Sequence, residues 1–195
     1  MEFEKFPSLA RLRRGCVITE KIDGTNAQIC FSEDGDILVG SRKRQIFPEG
    51  TPFEPKGCDN QGFAGWVYEH RTELFEFLGE GRHYGEWAGQ GIQRRYGLDH
   101  KRFYLFNSGR WNPAEIPASL FDDGLDVVPV LFEGDFSTER IDTVFEQLRL
   151  MGSSVNPGFD NPEGIVVYHV ASRTSYKLTF EHDDEGKGPD RQDKG

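Results

Sequence analysis

Between residues 16 and 41 the chain passes through three short strand-like runs divided by two tight turns, and this alternation constrains the fold more than any other feature. CVITE, at 16–20, is apolar and β-branched. NAQICFS sets Ala27, Ile29 and Phe31 against Gln28, Cys30 and Ser32, the two-residue period of a half-buried strand. KIDG lies between these runs, EDGD supplies a hairpin signal through Asp34 and Gly35, and ILVGSR continues as a third strand. An antiparallel meander is therefore expected to open the protein. HYGEW, RFYLFN, EGIVVYHV and RTSYKLTF add four more strand-like segments. After a Pro- and Gly-rich loop at 47–62, Phe63, Trp66, Val67, His70, Leu74, Phe77 and Leu78 recur at the spacing of one amphipathic helix. His70 belongs to that helix as a packing or surface residue, because no second metal-type side chain lies at matched spacing. A second helix is expected from Ser137, a good N-cap, burying Ile141, Val144, Phe145 and Leu148. Many strands, few helices and short turns define an α+β class.

At 195 residues the chain fits one core of about 180 residues followed by a polar, Gly-containing and flexible tail. No segment approaches the roughly 18 apolar residues of a membrane span. The first fifteen residues lack the apolar run of a secretory signal, so a cytoplasmic protein is expected. Cys16, Cys30 and Cys58 are odd in number and lack CxxC spacing, which suits reduced thiols better than a disulfide framework or a zinc site.

KIDG places a lysine between a strand and a turn, where a phosphate can approach the backbone. Alone, Lys-x-Asp-Gly arises by chance in on the order of one in twenty chains of this size, and describes a turn with a surface lysine equally well. Order gives it weight. KIDG at Lys21 is followed by GSRKR around Arg42, YGEW with Glu86, FYLF ending at Phe106, PEGIVV with Glu163 and SYKLTF with Lys177. This series resembles the ordered motifs of the covalent nucleotidyltransferases, the superfamily of polynucleotide ligases and mRNA capping enzymes. Within it, EWAGQGIQ followed by FYLF is most similar to the RNA ligases of the phage and RNA-editing type.

The resemblance implies an adenylation domain over residues 1–180, with two antiparallel sheets flanking an ATP cleft, helices outside and the Lys21 turn at the cleft mouth. Residues 181–195 would form the tail, with no appended OB-fold or other C-terminal domain. The implied activity is that of an ATP-dependent RNA ligase using Mg2+, with Mn2+ able to substitute. Lys21 would be adenylated, AMP would pass to a 5′-phosphate RNA end, and a 3′-hydroxyl would seal the strand. Substrates would include nicked duplex, an accessory protein could supply end recognition, and a monomer is expected. By the same resemblance Glu20, Lys21, Ile22, Asp23 and Gly24 contact the nucleotide, Glu20 at the adenine amine. Arg42 would hold ribose or an incoming phosphate, Glu86 the ribose hydroxyls, Phe106 the adenine face and Lys177 the α-phosphate. Glu163, with Glu86, would bind the metal.

Physical chemistry supports the nucleophile independently. An amine must be neutral to attack phosphorus, and with a reference pKa near 10.4 only about one lysine in 2,500 is neutral at pH 7. Lys177, Arg42 and a metal would lower that barrier by their positive field. Two departures stand out: Thr179 occupies the place where the family often has a second lysine, leaving Lys187 or an arginine to substitute, and Asn107 follows Phe106 where an acid is common. Net charge is −10, yet Arg11, Arg13 and Arg14, then Arg42, Lys43 and Arg44, then Arg94, Arg95, Lys101 and Arg102 form basic clusters, either a groove for nucleic acid or solvated surface. A DNA ligase or GTP-using capping enzyme, and a noncatalytic nucleotide- or nucleic-acid-binding module of the same fold, are the alternatives.

Overall fold

In the computed structural model, which describes residues 2–51 and 59–181, ten strands divide between two sheets. The smaller sheet has the order β10 (Thr174–Thr179), β9 (Gly164–His169), β1 (Gly15–Lys21), β8 (Val130–Asp135), all antiparallel. The larger runs β4 (Gln45–Ile46), β3 (Ile37–Ser41), β2 (Thr25–Phe31), β5 (Gly81–Gly89), β6 (Lys101–Leu105), β7 (Leu125–Val127). It departs from the expected all-antiparallel pattern at one edge, where β7 pairs parallel to β6.

The opening meander is the main correction. β2, β3 and β4 form it, but β1 belongs to the other sheet. KIDG is a crossing between sheets, because Ile22 is buried beneath it with Ala88, Tyr96, Tyr104 and Val128, and its backbone N–H groups bond to side chains instead of to a hairpin partner.

Burial follows the pleat. On β5 and β6, Trp87, Phe103 and Leu105 face a core with α1 (Phe63–Glu69) and α2 (Arg71–Leu78), while Ala88 and Tyr104 point the other way into the cluster where the sheets meet. The single helix expected over this segment is two, broken at His70, whose φ of −99° and ψ of 14° leave the α region. Its imidazole bonds the Trp66 carbonyl and Asp123, a packing role.

On β1, Cys16 and Ile18 face α4 (Thr138–Met151) together with Ile165 and Val167 of β9. Ser137 caps α4 by accepting the Arg140 N–H, as its sequence position predicts. Ile141, Val144 and Leu148 are buried, and Phe145 is half-buried, stacked on Phe180 with ring centroids 4.3 Å apart. The short α3 (Ala118–Asp122), β7 and β8 carry no clear sequence signal: β8 is an edge strand with an irregular burial pattern, and Pro129 separates it from β7. No helix among the described residues is long and apolar enough to cross a membrane. Cys16 and Cys30 are free thiols; Cys58, Lys187 and the expected flexible tail beyond Glu181 lie outside the described residues.

Leu148 is 3% exposed and Leu150 79%. Leu148→Ala is therefore expected to cost about 2–4 kcal/mol in urea unfolding and Leu150→Ala less than about 0.5 kcal/mol.

Candidate active site

Lys21 ends β1 with its Cα opposite Gly164. It shares the parity of Val17 and Thr19, so its side chain leaves the sheet on the face away from α4. Glu163 immediately precedes β9, and the register alone brings the two together: Lys21 Nζ lies 2.5 Å from Glu163 Oε2, with both side chains partly accessible.

The turn that follows is held at every residue. Ile22 anchors it from below. Asp23 N–H donates to the Tyr96 hydroxyl at 3.0 Å, and that hydroxyl donates to the Lys21 carbonyl at 3.3 Å. Gly24 N–H donates to Glu86 Oε1 at 3.2 Å, while Asn26, directly across from Glu86 on β2, donates its amide to Oε2 at 2.8 Å. The glycine is required by proximity, since a Cβ there would sit 2.5 Å from the Trp87 carbonyl oxygen and 2.9 Å from Ala88 Cβ. Asp23 also faces Arg94, whose Nε is 3.2 Å from Oδ2.

Burial raises the Glu86 carboxyl to about 7, against the pull of Asn26, Lys21 and Gly24 and with a further push from Glu163. Glu86 thus braces the turn through both carboxyl oxygens. Burial also pushes the Tyr96 phenol up, keeping its proton available to the Lys21 carbonyl.

Glu20 is turned into the interior. It has the parity of Cys16 and Ile18, is 1% exposed, and its oxygens accept from Ser153 Oγ at 2.6 Å and Ser154 N–H at 2.8 Å. Burial raises its pKa. This carboxylate ties β1 to the segment after α4. Ile22 likewise serves packing.

The remaining candidates line the same faces without joining the hydrogen-bonded network. Lys177 pairs with Val166 on β9, which pairs with Thr19, so Lys177 and Lys21 share one face of the smaller sheet. Arg42 is exposed just beyond Ser41, at the end of β3 that pairs with the start of β2. Phe106 continues the alternation of β6 onto the side of Tyr104 and Glu86 and is 43% exposed. Thr179 is buried and bonds the Glu181 carbonyl, and Asn107 closes a turn by accepting from Arg110 N–H. Tyr96, Asn26 and Ser153 carry no sequence signal for these roles, and Arg94 is marked only as one of a basic cluster.

A cation fits at Glu163, which is accessible, acidic and beside the lysine. Among the described residues no group of three or more acidic, histidine or cysteine side chains forms a cage, which suits a cation completed by water and substrate oxygens.

Two sheets meeting at a buried cluster, with a strand-end lysine set against a carboxylate, are the arrangement of a nucleotidyltransferase-type core. The chain belongs to the RNA ligase family, whose profile matches residues 14–180. Solved structures of Naegleria gruberi RNA ligase variants share the fold. One with ATP and Mn aligns at TM-score 0.57 and 20% identity, over 89% of this chain and 52% of that one. Another, with AMP and Mn, gives 0.55 and 21%, over 85% and 49%. The chain spans about half the length of those proteins. No curated protein sequence matches it.

Because the Glu86 pKa is raised from 4.5 to about 7 on folding, the folded protein holds a proton there that the unfolded chain lacks between those values. Stability is expected to fall as pH rises through that window, with the full penalty, about 3 kcal/mol at most, present above pH 7. Glu86→Gln should flatten the difference between urea midpoints at pH 5 and pH 8.

Proposed function

We propose that the protein is an ATP-dependent RNA ligase in which Lys21 attacks the α-phosphorus of ATP, releases pyrophosphate and carries AMP through an N–P bond. AMP then passes to the 5′-phosphate of an RNA end, and a 3′-hydroxyl displaces it to form the phosphodiester. The observation that carries this reading is the Lys21–Glu163 pair at the cleft, above a turn whose backbone is held rigid. Family membership supports RNA as the substrate, and the Naegleria enzymes solved with ATP or AMP and Mn support the nucleotide and the divalent ion.

Lys21 is engaged by Glu163, so it must leave that partner, and as an amine nucleophile give up its proton, before it can attack. When bound, Mg2+ or Mn2+ would supply positive charge at the triphosphate and compete with Lys21 for Glu163. Lys177, which shares a sheet face with Lys21, would meet the α-phosphate, and the exposed Arg42 would meet ribose or an RNA phosphate. Glu86 uses two of its roughly four acceptor positions on Gly24 and Asn26, leaving capacity for ribose hydroxyls. Phe106 offers an exposed ring to the adenine face.

Incubation with α-labelled ATP and Mg2+ is expected to leave acid-labile label on the denatured protein, and none on Lys21→Ala. Label from GTP alone would indicate capping chemistry; no label on folded protein would favour the binding-module alternative. Phe106→Ala should raise the ATP concentration needed for half-maximal labelling by about tenfold, the loss of one stacking contact, while leaving the melting temperature unchanged.

A further inference from the structure

The excursion between β5 and β6 has no assigned role, yet it touches the nucleophile turn twice and pays a conformational cost to do so. Gln93, Arg95 and Tyr96 all have left-handed backbones, with φ of 43°, 62° and 51°, and Gly97 follows at 65°. Non-glycine residues rarely adopt this conformation singly, and still more rarely in succession. What the contortion achieves is visible at its ends. The fully buried Tyr96 delivers its hydroxyl between the Lys21 carbonyl and the Asp23 N–H, and its ring is braced by Phe159 at 4.9 Å.

Arg94, with its side chain 14% exposed, spreads its guanidinium over three segments. Nε faces Asp23 Oδ2 at 3.2 Å, Nη1 donates to Asn161 Oδ1 at 2.7 Å, and Nη2 donates to Glu181 Oε2 at 2.9 Å. Asp23 lies in the nucleophile turn, Asn161 two residues before Glu163, and Glu181 two residues beyond the end of β10.

We infer that Arg94 and Tyr96 are positioning residues for transfer to Lys21, clamping the nucleophile turn to the strands that carry Glu163 and Lys177. The inference rests on the adenylation reading. A planar guanidinium can donate to Asn161 and Glu181 while its charge faces Asp23, holding three segments in a fixed geometry that an ammonium on a flexible stem does not present. The clamp matters because in-line attack tolerates little error: a nucleophile misplaced by an ångström can lose about a hundredfold in rate.

Arg94→Ala and Tyr96→Phe test it in the full chain. The second removes one hydroxyl and keeps the ring, so it remains informative if the first fails to fold. Two readouts are needed: lysyl-AMP formation against ATP concentration, and amide hydrogen exchange across the chain by mass spectrometry. Each variant is expected to lose about tenfold to a hundredfold in the rate at saturating ATP, with KM within about threefold of the parent. Exchange over residues 22–24 should rise about tenfold while the β2–β3 hairpin is unchanged. Unchanged exchange at 22–24 in both variants, or an unchanged transfer rate, overturns the inference. If the parent forms no lysyl-AMP, the adenylation reading fails, and faster exchange at 22–24 still supports the clamp as a structural device while unchanged exchange overturns it.

Discussion

The pairing of β1 with β9 is the constraint on which the rest of the molecule depends. Six consecutive Cα partners, from Cys16 opposite His169 to Lys21 opposite Gly164, set the lysine against the residue that follows Glu163. No side-chain preference is needed to bring lysine and carboxylate together, because the backbone ladder does it. A slip of one residue would turn Lys21 toward α4 and expose Ile18, exchanging a charged residue for an apolar one in the core. Gly164 protects the register from the other side: a Cβ there would lie 2.1 Å from the Leu178 carbonyl oxygen, so β9 and β10 can close only around a glycine.

The strands were legible because their alternation is local, and Ser137 because capping is local. What escaped was decided at a distance. KIDG has the composition of a hairpin turn, and its role as a crossing depends on a hydrophobic cluster assembled from residues 88, 96, 104 and 128. The break at His70 depends on bonds to Trp66 and Asp123. Glu20 is different, since its parity with Cys16 and Ile18 already placed it on the buried face, and only the motif resemblance argued for the cleft. Tyr96 and Arg94 lie in a stretch whose backbone has no regular period, so no pattern could aim them.

Charge shows the same separation between composition and structure. Arg94 and Arg102 stand in basic clusters by sequence, but one is committed to Asp23, Asn161 and Glu181, the other to Asp126, the Phe121 carbonyl and the Phe121 ring. Lys101 bonds the Gln61 carbonyl. Arg42, Lys43 and Arg44 remain exposed at the turn between β3 and β4. Of the basic clusters in this chain of net charge −10, Arg42, Lys43 and Arg44 near the start of β2 and Arg11, Arg13 and Arg14 ahead of β1 are the exposed ones.

The central position of β1 has a consequence for synthesis. Its neighbours on both sides come from the second half of the chain, and Lys21 meets Glu163 across a sequence separation of 142. At about 5–20 residues per second, β1 leaves the ribosome roughly 7–30 s before its partner carboxylate is made. During that interval both edges of an apolar strand lack their native partners, which is the condition under which strands pair wrongly or recruit chaperones. The nearby larger sheet can begin from the local β2–β3 hairpin, so the two sheets mature at different times, and Lys21 is among the last groups to find its setting.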